Sequence, residues 1–172
     1  SSPALSLFAR TGDGSIATRR IAILVADGVD GASARALQEG LAAEGAVPRF
    51  VGIRLGAVQS MDGSDIDVEV TFETMPAVLF DALVVLGGHE DVRNLGGMGQ
   101  AVEFIKEQYR HCKPILALGI GKELIESAGV NLELPSGELD PGVLTFSDES
   151  IDDILPQFIE AVGMHRHFER ET

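Results

Sequence analysis

The chain has 172 residues, with 27 acidic residues against 13 lysines and arginines and a formal net charge of −14. This length suits one domain with a core of its own, and the negative charge disfavours nucleic acid and anionic membranes as partners. Cys112 is the single cysteine, which excludes an internal disulfide and is typical of a reducing compartment. No apolar run reaches the roughly 18 residues of a membrane helix, so we expect a cytoplasmic globular protein.

The first 18 residues are predicted to be a linker, and residues 19–172 a single folded domain. The linker is rich in small and polar residues, and its apolar side chains are available to dock on a neighbouring surface: Leu5, Leu7 and Phe8. The sequence has neither an initiator methionine nor a secretory signal at its start. We therefore expect a fragment of a longer polypeptide, in which the linker follows an upstream domain.

Along the domain, apolar runs of strand length alternate with helical patterns. The predicted strands are 21–26, 47–53, 82–86 and 115–118, and the predicted helices are 32–44, 99–111 and 122–128. Continuous apolar strands are covered on both faces, which is typical of a parallel sheet. The fold class is therefore α/β, with a doubly wound, mainly parallel sheet and helices on both faces.

Two stretches depart from this alternation. Residues 57–70 alternate around the turn Met61–Asp65 and predict a small antiparallel flap. The segments around 134–137 and 140–142 are predicted to be irregular.

The final helix has the clearest pattern. Its apolar residues recur with helical spacing, and Ser150 and Asp153 are spaced as a capping pair. The apolar positions are Ile151, Ile154, Leu155, Phe158, Ile159 and Val162. Basic residues follow, and we expect them in the last turns, where positive charge suits the helix dipole: His165, Arg166, His167 and Arg170.

Ligand sites in such sheets lie at the carboxyl ends of the strands, which here are residues 27–30, 87–91 and 119–121. The strand 115–118 runs into a sharp turn and then a helix, an elbow that carries a Ser or Cys nucleophile in many α/β enzymes. Here the elbow residue is Gly119, which has no side chain. The scaffold is predicted to lack its reactive atom.

Other chemistry is weakly supported. Gly119-Ile120-Gly121-Lys122 offers backbone N–H groups at a helix start, but Asp27 and Asp30 in the first turn would repel a phosphate. Cys112 precedes its strand and is interpreted as a structural thiol. A metal would need His89, His111 or the pair His165 and His167, whose rings diverge on a helix, so we expect no metal site.

The ordered series of segments 19–29, 80–85 and 109–117, with the leading Ser2-Pro3-Ala4-Leu5-Ser6, resembles the C-terminal domain of large-subunit haem catalases. That domain is flavodoxin-like and similar to the class I glutamine amidotransferase and DJ-1/PfpI superfamily. The resemblance implies that Gly119 stands at the superfamily's nucleophilic cysteine and Asp30 at its helper acid. Downstream of Gly121 no histidine appears until His165, so no counterpart of the superfamily's histidine is evident. The resemblance therefore implies a retained fold with a vestigial site and no catalytic residue.

The resemblance also implies that haem belongs to the parent, the full-length catalase of which this chain would be one domain. That parent disproportionates hydrogen peroxide to water and oxygen. Family catalases bind haem through a tyrosine in an Arg-x-x-x-Tyr setting, whereas Tyr109 follows Ile105 by four residues. No cofactor is therefore expected in this chain. The implied partners are the catalase core and the neighbouring subunits of a homotetramer.

We thus expect a non-catalytic domain that packs on the catalase core, stabilises the subunit or tetramer and modulates access to the haem channel. Two alternatives stay open. One is a free-standing DJ-1/PfpI-type hydrolase, amidotransferase or glyoxalase, which would need a nucleophile at the elbow. The other is a chaperone-like module that keeps other proteins in solution through its acidic surface.

Overall fold

The computed structural model describes residues 15–164 and 167–171. Among them, six strands form one parallel sheet: β1 (Arg20–Leu24), β2 (Val47–Gly52), β5 (Val70–Thr71), β6 (Ala82–Val85), β7 (Ile115–Leu118) and β8 (Val143–Phe146). The order across the sheet is β5-β2-β1-β6-β7-β8. A separate antiparallel hairpin is formed by β3 (Gly56–Gln59) and β4 (Asp65–Val68). The doubly wound α/β fold and the flap predicted from the sequence are thereby confirmed.

Helices cover both faces of this sheet. They are α1 (Gly31–Ala43), α2 (His89–Gly96), α3 (Gly99–Arg110), α4 (Gly121–Ser127) and α5 (Ile151–Gly163), with 3₁₀ turns at Ala77–Leu79 and Phe168–Glu171. None of the described helices is long and apolar enough to cross a membrane.

The core consists of two apolar layers on either side of the sheet. Alternate residues of β1 divide between them, with Ile21 and Ile23 facing α1 and α5, and Ala22 and Leu24 facing the layer that contains α3 and α4. Every residue of β6 and β7 is buried. Full burial of a Leu or Ile side chain contributes roughly 1.5–3 kcal/mol, so the central strands specify this arrangement.

The first described residues belong to the folded unit. Ile16, which the sequence assigns to the linker, is 2% exposed and packs in the layer beneath α1. The backbone N–H of Thr18 donates to the Gly45 carbonyl at 2.9 Å. The remainder of the predicted linker, with Leu5, Leu7 and Phe8, lies outside the described residues, and its boundary stays a prediction.

Three elements were missed or misplaced. Val70 was predicted in the flap, but it pairs with Val51 in the main sheet. Strand β8 and helix α2 were not predicted, because β8 is a half-buried edge strand after Pro141-Gly142 and α2 is only eight residues long. Short edge elements carry weak periodicity, since few of their positions are fully buried.

The helical spacing of residues 99–111 predicts that Val102, Ile105 and Tyr109 face inward. Ile105 is buried, and Val102 and Tyr109 are half-buried but pack against the same core layer. Phe104 and Gln108 are buried in addition. Gln108 is polar and therefore was not predicted inside. Its Nε2 donates to the Ala77 carbonyl at 2.7 Å, which satisfies the 3₁₀ turn before β6.

The final basic residues do not extend the last helix. The Ser150 cap is as predicted, with its Oγ accepting from the Asp153 N–H at 3.3 Å, but α5 ends at Gly163. His167 and Arg170 lie in a segment that folds back on the domain (residues 167–171, the C-terminal segment), and His165 and Arg166 lie outside the described residues. Their predicted role as charges on the α5 dipole is wrong for His167 and Arg170, because both side chains engage buried polar groups instead.

Candidate functional site

The turns after β1, β6 and β7 meet at one end of the sheet, which we call the carboxyl edge (residues 27–30, 87–91 and 119–121). A β-carbon built on Gly119 would lie 3.5 Å from the Gly87 carbonyl oxygen. One built on Gly88 would lie 2.3 Å from the Gly28 carbonyl oxygen. The three turns are therefore in direct contact, as expected for strands that run parallel.

Gly119 forms the elbow between β7 and α4. Its φ is +54°, and its backbone N–H donates to the Phe146 carbonyl at 2.8 Å. The residue is exposed, and a β-carbon would meet its neighbours only at ordinary contact distances. The strained turn of a nucleophile elbow is thus present and has room for a side chain, but glycine supplies no reactive group.

Gly87 holds the second turn against this elbow. A β-carbon on Gly87 would lie 2.3 Å from the Leu118 carbonyl oxygen, a distance that real side chains do not tolerate. Only glycine therefore allows this close approach of the two backbones.

Asp30 serves as the N-cap of α1. Its carboxylate accepts from the Ser33 N–H at 3.2 Å and from the Ser33 Oγ at 2.7 Å. A capping side chain of this kind contributes about 1 kcal/mol to helix stability. This structural role fully accounts for the acid at the position where the superfamily resemblance implies a helper acid.

Asp91 is a buried acid that the sequence reasoning missed. It lies in the first turn of α2 and is 0% exposed; its Oδ1 accepts from the Val92 N–H at 2.8 Å, and its Oδ2 has no partner among the described residues. Burial raises the pKa of Asp91 to about 7, and the charges of Asp30 and Glu90 add to the rise. In sequence it resembles any acid in the first turn of a helix, so no signal marks its burial.

A cavity of about 590 Å³ opens beside the first two turns. It is lined by Asp27, Gly28, Gln59, Ser60, Met61, Gly63, His89 and Glu90. The Ser60 Oγ accepts from the Gly31 N–H at 3.0 Å, and the His89 side chain has no hydrogen bond to any described residue. The cavity therefore lacks the hydrogen-bonded pair of nucleophile and base that acyl-transfer chemistry uses.

Cys112 lies at the opposite end of the sheet from Gly119. It follows α3 with a φ of +62°, is 1% exposed, and its carbonyl accepts from the His167 N–H at 2.7 Å. A thiol in this position is too far along the strand to serve the elbow. Its placement agrees with the structural role expected from the sequence.

The histidines considered as metal ligands are dispersed. His89 lines the carboxyl-edge cavity, His111 lies 3.3 Å from the Glu107 carboxylate on the surface, and His167 is buried at the other end of the sheet. Within residues 15–164 and 167–171, no group of three or more His, Cys, Asp or Glu side chains is placed to hold a metal ion.

The buried His167 acts as a cap for α5. Its Nε2 lies 3.1 Å from the Ala161 carbonyl oxygen, so Nε2 carries the proton, since a carbonyl oxygen only accepts. Burial lowers the pKa of His167, and the nearby Arg170 charge lowers it further. A neutral imidazole therefore occupies this position, rather than the cation that a dipole interaction would require.

A family model described as the "C-terminal domain found in long catalases" matches residues 17–172. The chain belongs to this family. It is 37% identical to "Catalase HPII" of Mycobacterium avium over 99% of its own length and 25% of that relative. It is 37% identical to "Catalase HPII" of Pseudomonas putida, over 99% of this chain and 22% of that relative. It is 34% identical to "Catalase-2" of Bacillus subtilis, over 98% of this chain and 23% of that relative. The chain thus spans about a quarter of the length of these relatives.

Solved structures with the same fold include a ThiJ/PfpI family protein from Pseudomonas syringae, with a TM-score of 0.71 at 18% identity over 95% of this chain and 76% of that one. Another is a two-domain protein from Anabaena variabilis with DJ-1/ThiJ/PfpI-like and ferritin-like domains. It has a TM-score of 0.64 at 18% identity, over 76% of this chain and 44% of that one. At these identities the likeness concerns the fold alone. The recognised resemblance to the catalase C-terminal domain and to the DJ-1/PfpI fold is confirmed.

Proposed function

We propose that this chain is a non-catalytic, structural domain of a long catalase, and that Gly119 and Asp30 are vestiges of an enzyme site. The observation that carries the proposal is the elbow at Gly119, which keeps its geometry without a nucleophile in a chain that belongs to a catalase family. Asp30, the other vestige, is engaged in capping α1.

In this proposal the haem and the peroxide chemistry reside in the remaining three quarters of the polypeptide. Relatives named as catalases extend well beyond the matched region, which covers 22–25% of their length. The domain would pack on that haem-bearing core and stabilise the subunit within a homotetramer. A cytoplasmic location is part of the proposal and is supported by the single cysteine.

Expression of the complete gene tests the parentage. We expect the product to show a haem absorption band and to consume hydrogen peroxide, whereas the 172-residue chain consumes none above a buffer control. Peroxide turnover by the chain itself, or a complete product without haem, would contradict the proposal.

Covalent labelling tests the vestigial site. A chain with Cys112→Ala should take up no broad thiol or serine probe near residue 119. Adding Gly119→Cys to that background gives the matched positive control, because the position is exposed and has room for a β-carbon. If the chain with Cys112→Ala alone is labelled near residue 119, the result would favour the alternative of a DJ-1/PfpI-type hydrolase, amidotransferase or glyoxalase.

The chaperone-like alternative has its own readout. It predicts that the chain suppresses aggregation of an unfolded client at a substoichiometric ratio. We expect only the weak suppression that an unrelated acidic protein of the same size also gives.

A further inference from the structure

Exposed apolar side chains concentrate at the end of the sheet opposite the elbow. We call this end the amino edge (residues 15–19, 77–81, 111–114, 137–142, 164 and 167–171). Six large apolar side chains are exposed among the described residues, and four of them lie here: Val78 (65%), Leu79 (42%), Leu139 (75%) and Met164 (53%). Single exposed apolar residues need no explanation, but several on one face mark an interaction surface.

The segments that carry these side chains are joined into one surface. The Lys113 Nζ donates to the Val78 carbonyl at 3.3 Å, and the Arg170 Nη1 donates to the Lys113 carbonyl at 2.7 Å. Arg170 also pairs with Asp140, next to Leu139, with 2.5 Å between Nε and Oδ2. The amino edge is therefore fixed by hydrogen bonds rather than being a set of independent loops.

A cavity of about 450 Å³ opens on the same side, between the ends of α3 and α4. Three cationic side chains line it: Lys106, Arg110 and Arg170. Arg170 is paired with Asp140, and Arg110 contacts Glu107, so Lys106 supplies most of the uncompensated positive charge. In a chain with a formal net charge of −14, this cavity is a local concentration of positive charge, which is complementary to a carboxylate.

Helix dipoles explain only part of this pattern. Helices of a doubly wound sheet end at the amino edge, and cations near helix C-termini are favourable by about 0.3–1 kcal/mol each. That effect accounts for Arg110 at the end of α3. It gives no reason for Val78, Leu79, Leu139 and Met164 to face solvent, which costs the free energy that burial would supply.

The position of the chain entry indicates what covers this surface. In a C-terminal domain, the rest of the polypeptide precedes it, and here the described chain enters at Ser15–Arg19, directly before β1. The upstream polypeptide therefore reaches the domain at the amino edge. In the relatives, that upstream part is about three times as long as the matched region, because the match covers 22–25% of them.

We infer that the amino edge is the surface on which this domain packs against the upstream, haem-bearing part of the long catalase, with an acidic side chain of that part entering the Lys106 cavity. This inference rests on the proposed function and adds the docking face to it. The carboxyl edge, near which Leu55 and Met61 are exposed, then faces solvent.

Two methionines provide a matched test. Met164 on the amino edge and Met61 near the carboxyl edge are 53% and 62% exposed in the domain, so their thioethers should oxidise at similar rates when nothing covers them. The complete catalase would be treated with chloramine-T, since catalase consumes peroxide, and the sulfoxides would be quantified by peptide mass spectrometry. We expect Met164 to oxidise at least about five-fold more slowly than Met61, and both to oxidise equally in guanidinium.

Paired variants link the protection to the proposed contacts. Lys106→Glu with Leu139→Asp places two unfavourable groups on the amino edge, and Arg54→Glu with Leu55→Asp makes the same changes at exposed positions of the other edge. The first pair should bring Met164 oxidation within two-fold of that of Met61, and the second should leave Met164 protected.

The outcomes separate this inference from the proposed function. Equal oxidation of both methionines in a complete, haem-containing catalase, or protection of Met61 instead, overturns the docking face and leaves the catalase parentage intact. Protection of Met164 that is lost on dilution of the protein would assign the surface to a second copy of this chain and would also overturn the inference. A complete product without haem would refute the proposed function itself.

Discussion

The two ends of the sheet differ in how their polar groups are used. At the carboxyl edge, glycine turns touch one another, Asp30 caps a helix and Asp91 is buried with one oxygen unpaired. At the amino edge, Arg170 joins Asp140, Tyr109 and Lys113 in one buried network. The elbow at the carboxyl edge thus carries a glycine, Gly119, which has no side chain, whereas the buried ion pair of Arg170 and Asp140 lies at the opposite end of the sheet.

The largest loss of folding stability is expected at the amino edge, from Arg170→Met. The side chains of Arg170 and Asp140 are 3% and 0% exposed, so removing the guanidinium leaves a buried carboxylate without its cationic partner. Such a loss costs about 3–5 kcal/mol, which urea unfolding would measure. Arg110→Met is the matched control, because its pair with Glu107 is exposed and contributes about 0–1 kcal/mol.

The double variant Arg170→Met with Asp140→Asn sharpens this result. It removes both charges, and we expect it to be less destabilised than Arg170→Met alone. A loss below 1 kcal/mol for Arg170→Met would mean that the amino edge is not the more firmly fixed end.

At the carboxyl edge, Asp91→Asn should change how stability depends on pH. Burial raises the pKa of Asp91 from 3.8 to about 7 in the folded state. Between these values the folded state retains a proton that the unfolded state has released. The stabilising contribution of Asp91 to the free energy of unfolding is therefore fully present below pH 3.8, falls as pH rises and is lost above pH 7.

The asparagine variant does not titrate at this position, so its stability relative to the native chain should increase across that window. At about 1.4 kcal/mol per pKa unit, the relative gain is roughly 2–4 kcal/mol between pH 4 and pH 8. Thermal or urea unfolding at both pH values measures it. A constant difference between the two proteins would show that Asp91 is ionised in the fold.

A smaller effect is expected from alanine at the two glycines of the elbow contact. Gly87→Ala forces a β-carbon to within 2.3 Å of the Leu118 carbonyl oxygen, and we expect a loss of about 1–3 kcal/mol. Gly119→Ala causes no such clash. It loses only the free energy needed to hold an alanine in the left-handed conformation, about 1–2 kcal/mol. Gly99→Ala, at an open helical position, should be neutral or slightly stabilising, and the order of the three unfolding midpoints is the test.

The sequence predicts the centre of this fold well, because its signals are local. The apolar runs of β1, β6 and β7 are buried on both faces, and a strand followed by a glycine turn marks the elbow at Gly119. Strand β8 escaped prediction because three of its four residues are only half-buried, so neither the continuous nor the alternating pattern is strong.

The remaining features depend on contacts between distant parts of the chain. Arg170 meets Asp140 across 30 residues and Tyr109 across 61, and no spacing rule connects such positions. The basic residues after α5 predict a longer helix when only the neighbouring sequence is considered, because positive charge suits the last turns of a helix. The pKa of Asp91 is likewise raised by burial and by the charge of Asp30, which is far away in sequence, so the shift could not be inferred from the sequence neighbours of Asp91 alone.

The Arg170 network also bears on synthesis. The carboxylate of Asp140 has its cationic partner only once residue 170 has been translated and has left the ribosome. A nascent or truncated chain that stops before this residue carries an uncompensated charge beneath its surface. Premature termination should therefore yield a domain that proteases remove readily, which would favour complete subunits over defective ones.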